Sequence, residues 1–262
     1  MNAPDPVAAA LSGVVVVILV DYLRENQAWG WMRLVQGSAV LRDVPGLRFS
    51  KVMGSGHDGG FTLRPSTTHQ GLICLFDRAD QADAFLTGSH VQQMRERARE
   101  SWTGLLSITA ARGSWDGEAW APTHSESLGP YSGAALAPNP ALAALTRASI
   151  RPAKAATFWR MAPAAQASLW SAPGCELAAG LGEAPLLRQC TFSLWRDVSS
   201  MDAYAQHGAH QQAIASAYKH SFFSESMFVR LRLLAGSGVW KGRHPLADDA
   251  ACEVHAAGDA HG

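Results

Sequence analysis

The sequence has no surplus of charge of either sign. Lys plus Arg and Asp plus Glu both number 22 in 262 residues, and only 17% of positions are charged. A nucleic-acid binder normally carries a basic face or excess, so that class is set aside. Cysteine is scarce: Cys74, Cys175, Cys190 and Cys252 show no CxxC and no tight spacing. Neither a zinc site nor a disulfide framework follows from them. Three sit in apolar surroundings and read as buried thiols, which suits a reducing cytosol. Long hydrophobic runs are missing too. The longest, residues 14–20, reads Val-Val-Val-Val-Ile-Leu-Val, far short of a membrane span and β-branched enough to be a buried strand. Asp5 is the only charged side chain before it, so the basic n-region of a signal peptide is lacking. Among catalytic signatures there is no GxSxG, no assembled Ser-His-Asp set and no GxxxxGK[ST]. His57 lies in the Gly-rich stretch 54–60, which does not lead into a helix as a phosphate-binding GxGxxG would, and a flexible turn is the simpler reading.

What is present is a repeat. Phe76 is followed by Asp83-Ala84-Phe85, and Trp195 by Asp202-Ala203-Tyr204, at the same spacing. Each copy continues to Gly-x-His (Gly88-Ser89-His90 and Gly208-Ala209-His210) and then to Glu-Ser (Glu100-Ser101 and Glu225-Ser226). A Gly-x-Trp-x-Gly frame closes each, around Trp115 and Trp240. A repeat of about 110 to 120 residues implies two fused domains of one fold rather than a solenoid.

Hydrophobic periodicity and breakers place strands at 14–20, 48–53, 71–76 and 103–111, with helices at 27–42, 80–85 and 90–100. Asp80 is read as the acid at a helix cap, with Asp83 three residues on, and capping is the role given to the recurring Asp83 and Asp202. In the second half strands are expected at 145–150, 176–181, 189–195 and 227–234, and helices at 153–161, 200–206 and 209–219. The order is β-α-β-β-α-β twice over, the ferredoxin-like plan. The fold class is therefore α+β: two tandem ferredoxin-like units packed sheet to sheet as a dimeric α/β-barrel-type fold, formed within one chain. The boundaries are a flexible leader at 1–13, unit one at 14–117, a Pro-rich linker at 118–142, unit two at 143–243 and a disordered tail at 244–262. An apolar barrel interior is expected to hold a ligand, and nine Trp and nine Phe suit such a cavity, although most will be core.

The sharpest single candidate is His210. Gly208 should break the preceding helix and leave His210 in the first turn of the next, where the positive end of the helix keeps imidazole neutral, as an axial haem ligand requires. The same features fit a polar residue at an exposed helix start. His207 and His220 are rivals, and His90 is the duplicate in the first half, so spacing alone does not choose between halves.

Several blocks carry a family resemblance. Leu145-Thr146-Arg147-Ala148-Ser149-Ile150-Arg151-Pro152, the stretch Gly182-Glu183-Ala184-Pro185-Leu186-Leu187 running on to Trp195, and Gly208-Ala209-His210-Gln211-Gln212-Ala213-Ile214 are similar to the spheroidene monooxygenases. So are Lys51-Val52-Met53-Gly54-Ser55-Gly56 and Glu100-Ser101-Trp102-Thr103. These are carotenoid 2-ketolases of purple phototrophic bacteria. The resemblance spans residues 14–246. It implies a haem b enzyme, with unit two as the haem-binding half, that uses O2 and a reduced ferredoxin-type donor to oxidise C-2 of spheroidene-type acyclic carotenoids. Two hydroxylations at one carbon would give a geminal diol that loses water to the ketone, spheroidenone. His207-Gly208-Ala209-His210 also looks like the haem-ligand segment of aldoxime dehydratases, in which the second His is axial, so His210 is the expected iron ligand. Arg147, Arg151 and Gln189 become candidate distal or propionate partners, with a surface ion pair as the alternative for each Arg. Two rival functions share the barrel: a haem-dependent dehydratase or peroxidase-like enzyme, and a cofactor-free small-molecule-binding barrel. The expected location is the cytoplasm. A long polyene partitions into lipid, which favours peripheral association with the inner or photosynthetic membrane, although no amphipathic anchor stands out.

Overall fold

The computed structural model describes residues 10–136, 138, 140–184, 186–206 and 221–246, without the side chains of 161–166. The strands are β1 (Val14–Tyr22), β2 (Leu47–Gly56), β3 (Pro65–Phe76), β4 (Ala98–Gly113), β5 (Leu142–Ile150), β6 (Cys175–Ala184), β7 (Arg188–Trp195) and β8 (Phe223–Gly238). The helices are α1 (Gln27–Gln36), α2 (Ala79–Thr87), α3 (Ser89–Glu96), α4 (Ser132–Ala135), α5 (Ala155–Trp170) and α6 (Val198–Gln206). The expected helix at 209–219, the leader up to residue 9 and the tail beyond 246 lie outside the described residues.

All the strand pairings are antiparallel, and they close one barrel in the order β1-β3-β2-β6-β7-β5-β8-β4. Each half contributes its strands in the same relative order. The halves meet along a long seam between β4 and β8, from Trp102↔Gly238 to Gly113↔Met227. The opposite seam, β2 to β6, is short: Gly54 pairs with Gly182 and Ser55 with Leu181, and Ser55 Oγ donates to the Gly180 carbonyl at 2.5 Å.

Several sequence expectations shift. The helix expected over 90–100 ends at Glu96, and Glu100 belongs to β4, where it pairs with Asp21. The helix expected at 27–42 stops at Gln36 and tightens into a 3-10 turn over Gly37–Leu41. Neither Asp83 nor Asp202 caps a helix. Asp83 accepts from the Tyr131 hydroxyl at 2.9 Å, and Asp202 pairs with Arg230 at 2.7 Å. In the second half Asp197 does the capping, accepting the Ser200 amide at 2.7 Å. The linker is ordered as well: Leu11 bridges to Trp120, and α4 follows two 3-10 turns.

Strand alternation sorts every side chain to one of two sides. Along β1, Val15, Val17 and Leu19 face the interior, while Val14, Val16, Ile18 and Val20 face outward under helices. Both sides are buried, so β1 reads as an unbroken apolar run. An eight-stranded barrel has an interior just wide enough for side chains to fill, and here they fill it. Trp102, Trp115, Trp120, Trp240, Phe192, Met53 and Met227 are all buried there. Two inward glycines make room for neighbours: a Cβ on Gly104 would lie 2.4 Å from the Trp102 ring, and one on Gly71 would lie 2.6 Å from Leu181. The expectation of a ligand inside the barrel is thereby corrected, because the Trp and Leu side chains already occupy that space.

The repeated Gly-x-Trp-x-Gly frames explain how the ends are shut. Each is a tight turn with its fourth residue in the left-handed region (Asp116 φ 52°, Lys241 φ 53°), bridging Trp115 to Glu118 and Trp240 to Arg243. The leading glycines are obligatory: at Gly113 (φ 88°) and Gly238 (φ 106°) a Cβ would sit 2.0 and 2.1 Å from the carbonyls of Ser226 and Ser101. Each turn folds its Trp back into the core as a plug.

Outside the barrel, the first half is well covered. Val14, Val16, Ile18, Leu72, Cys74 and Phe76 pack beneath Leu41, Ala79, Ala82, Phe85, Val91 and Met94. No helix among the described residues is long and apolar enough to cross a membrane. Gly104→Ala should cost roughly 1–3 kcal/mol by overpacking against Trp102 and lower the melting temperature, whereas Gly133→Ala, with open space at the Cβ, should not. Thermal unfolding followed by circular dichroism checks both.

Candidate functional site

The structure places Arg147, Arg151 and Gln189, the three candidate distal or propionate partners, in different surroundings. Arg147 shares a row with Cys190, Leu181 and Met227 and points into the barrel, where it is 1% exposed. Buried charge persists only when paired, and here it is. Arg147 reaches Asp116 at 3.1 Å and Glu183 at 3.4 Å, and makes a close ion pair with Glu225. Lys51 joins by pairing with Asp116 and, at 3.3 Å, with Glu183. The Trp115 indole donates to Glu183 at 2.8 Å and stacks under the Arg147 guanidinium. Burial opposes the charge on Glu225, but the Gly117 amide, the Ser114 hydroxyl and Arg147 together hold its carboxyl down at about 2. This cluster seals one mouth of the barrel. At the other mouth Asp21, 2% exposed, accepts from Arg99 Nε at 2.7 Å and faces His69 Nδ1 at 3.4 Å. Burial lowers the basicity of His69 more than Asp21 restores it.

Gln189, one residue before Cys190, faces the opposite way, in the outer row Gly182–Gln189–Ala148–Ser226. Arg151 lies beyond the end of β5 and is exposed. His90 sits in the first turn of α3, half-buried near Phe85. It lines a groove of about 670 Å³ with Asp43, Asp80 and Gln81. His207, His210 and His220 lie outside the described residues.

The informative feature is a difference between the halves. Ser149 pairs with Glu225 as Asp21 pairs with Glu100, which fixes the equivalence of positions. The outer row Val52–Leu72–Ile18–Thr103 of the first half then corresponds to Gly180–Thr191–Thr146–Phe228 in the second. Likewise Ser50–Cys74–Val16–Leu105 corresponds to Ala178–Ser193–Ala144–Arg230. From the first half to the second, Ile18 gives way to Thr146, Leu72 to Thr191, Val52 to Gly180 and Val16 to Ala144, while Thr103 gives way to the larger Phe228. Ile18 and Val16 are 0% exposed. Their counterparts Thr146 and Ala144 are exposed and half-buried, although each is paired on both sides. Phe228 stands 43% exposed beside Thr146.

One margin of this face is closed. Leu169 of α5, Met201 of α6, Trp195 and Leu142 cluster on Ala178, and the backbone of Gly60 lies over Gly180. Ala144 packs against that cluster, and the open part is floored by Thr146 and Thr191 and edged by Phe228 and Arg230. Segment 207–220 joins α6 to β8 beside it in sequence. Such a surface suits a flat, largely apolar molecule with an anionic edge. Reading the sequence for shared motifs missed Thr146, Thr191, Phe228 and Arg230. The signal that was available was the exchange of aliphatic side chains for Thr at two aligned strand positions, with Phe and Arg standing where the first half has Thr103 and Leu105.

No family model matches the chain. The spheroidene monooxygenase of Rubrivivax gelatinosus is 48% identical over 91% of this chain and 89% of its own length. That of Rhodobacter capsulatus is 34% identical over 84% of this chain and 89% of its own. Among solved structures, an aldoxime dehydratase in complex with butyraldoxime superposes with a TM-score of 0.53 at 10% identity, covering 84% of this chain and 79% of that one. A second aldoxime dehydratase gives 0.53 at 10% identity over 84% and 81%. At such identity the likeness is one of fold alone.

The sealed mouth generates two expectations. Arg147→Met removes the cation that neutralises Glu183, Glu225 and Asp116 and should cost roughly 3–5 kcal/mol, read as a fall in the urea midpoint. Glu225 has a depressed folded pKa, so its contribution is present above the ordinary carboxylate pKa and is lost as pH falls towards about 2. Wild-type stability should therefore drop through that window. Glu225→Gln should be less stable at neutral pH and show a shallower acid loss.

Proposed function

The chain belongs to the spheroidene monooxygenase family, and on that footing we propose that it holds haem b against the outer face of the barrel's second half and oxidises C-2 of spheroidene-type carotenoids to the ketone. It is an oxygen-dependent monooxygenase, and its substrate is a carotenoid. In this reading the halves are tandem ferredoxin-like units, one kept as scaffold and the other opened for a ligand. The observation that carries it is the stripped face. Thr191, Thr146 and Phe228 lie across three adjacent strands, a floor about 10 Å wide at the usual strand spacing. The short side chains of Thr146 and Thr191 would let a planar macrocycle approach the sheet. Phe228 offers it an aromatic contact, and Arg230 stands at its edge.

The bound haem would supply activation of O2, with electrons from a reduced ferredoxin-type donor. The chain's own part is to hold and shield. In this reading His210 would hold the iron, with His207 and His220 as rivals in the same segment. His90 belongs to α3 on the other half and is the less suited rival. Of the strand residues, Gln189 projects from the same outer face, in the row next to Thr191, and would supply a polar group to the bound molecule. Arg147 is withdrawn into the barrel mouth and serves the scaffold, and Arg151 is left at the strand end. C-2 lies near the end of an acyclic carotenoid, so the slot has to admit only one terminus while the polyene remains in lipid or along the surface. Peripheral contact with the membrane that dissolves the polyene belongs to the same reading.

Titration with hemin, followed at the Soret band, tests the cofactor. Wild-type protein should take up about one equivalent. Thr146→Phe, which restores the bulk that Ile18 provides in the first half, should abolish uptake with little loss of thermal stability, and His210→Ala should remove the ligand-field signature. A wild-type protein that stays colourless overturns the haem assignment. Co-expression in a spheroidene-producing host with pigment analysis tests the product: accumulation of spheroidenone is expected, and unchanged pigment overturns the ketone assignment.

A further inference from the structure

We propose that Arg230 anchors a carboxylate at the edge of the molecule on the stripped face, a propionate if that molecule is haem. The inference rests on the haem-bound reading and adds the group that orients the ring. Four observations converge on this residue. Its register partner is Ala144, in the row Ala178–Ser193–Ala144–Arg230, so it projects from the same outer face as the small side chains of the floor. Its equivalent in the first half is Leu105, which is 1% exposed and part of the outer core. The same row that lost apolar bulk therefore gained a cation.

Its side chain is 36% exposed, and the structure pairs it with Asp202 of α6, itself 38% exposed, at 2.7 Å. A half-exposed pair of this kind is worth little, so exchanging Asp202 for a ligand carboxylate is nearly neutral on the protein side. A guanidinium also offers paired donors that match a carboxylate in plane, giving direction as well as charge. On the same strand, Arg232 donates to the Ala135 carbonyl instead. Asp202 lies four residues before the end of α6, and the His-bearing segment follows directly. An anchored carboxylate at Arg230 would fix one edge of the ring against the strand that receives that segment.

The test uses the full chain and two probes, hemin and hemin dimethyl ester, which differ only in the carboxylates. Binding is read at the Soret band. Wild-type protein should prefer hemin. Arg230→Gln should weaken hemin about tenfold, the worth of one charge-assisted pair, and leave the ester unchanged. Arg230→Lys should restore part of the preference. Asp202→Asn, which removes the competing carboxylate, should bind hemin at least as tightly as wild type. Equal weakening of both probes by Arg230→Gln, or a matching loss in Asp202→Asn, would mean that the pair is only a strap between β8 and α6, and the proposal falls. Wild-type protein that takes up neither probe removes the haem reading itself and the anchor with it. Wild-type protein that binds both equally removes the anchor alone.

Discussion

Closure of the sheet is the constraint on which everything else here depends. Once the strands form a complete barrel, each side chain has two destinations, and the inner one admits only what fits a narrow cylinder. Trp102 lying over Gly104 and Leu181 lying over Gly71 leave that cylinder full. The Trp115 and Trp240 plugs shut its ends, and each end is finished by ion pairs that keep buried charge neutralised. A ligand of any size must therefore use the outside. The outer face is where helices normally pay for the fold by burying apolar surface, so a binding site there is made by withholding burial.

The halves show both outcomes of that choice. Around Ile18 the first half is a conventional helix-on-sheet core. Around Thr146 the second half keeps the same strands and register but gives up the side chains that would fill the space. The stability surrendered has to come from elsewhere. The interior core, shared by both halves, and the long β4–β8 seam are the places where it is available. A cofactor bound in the slot would return part of it, since a ligand that binds only the folded state stabilises that state.

The Gly-x-Trp-x-Gly turns and the mouth residues recur as scaffold, and the outer faces of the two halves are where the copies diverge. Gly-x-Trp-x-Gly recurs because a barrel has two mouths to close. Glu100 and Glu225 recur because each sits at a mouth, and the latter balances Arg147. The Asp-Ala-aromatic pairs recur in position but not in role: Asp83 holds Tyr131, while Asp202 holds Arg230. Arg147, a candidate through the family resemblance, lies in the barrel mouth paired with Asp116, Glu183 and Glu225. Comparing the outer rows of the copies leads to Thr146 and Thr191, where volume is lost, and to Phe228, where an aromatic ring replaces Thr103.

By itself the sequence determined the duplication, the α+β order of elements, the shortness of its apolar runs and, through blocks such as Leu145-Thr146-Arg147 and the one beginning Gly182-Glu183-Ala184, the family. These are local or one-dimensional properties, written in spacing and periodicity. Only the tertiary structure decided that β2 and β6 join to close the barrel, that the interior is full, and that Arg147 and Gln189 face opposite ways although their strands are adjacent. It also decided that Thr146 lies bare where Ile18 is covered. The physical reason is that alternation fixes which residues share a side, but which side is inside depends on how distant strands register and on what the helices leave uncovered, and neither is encoded within any one segment.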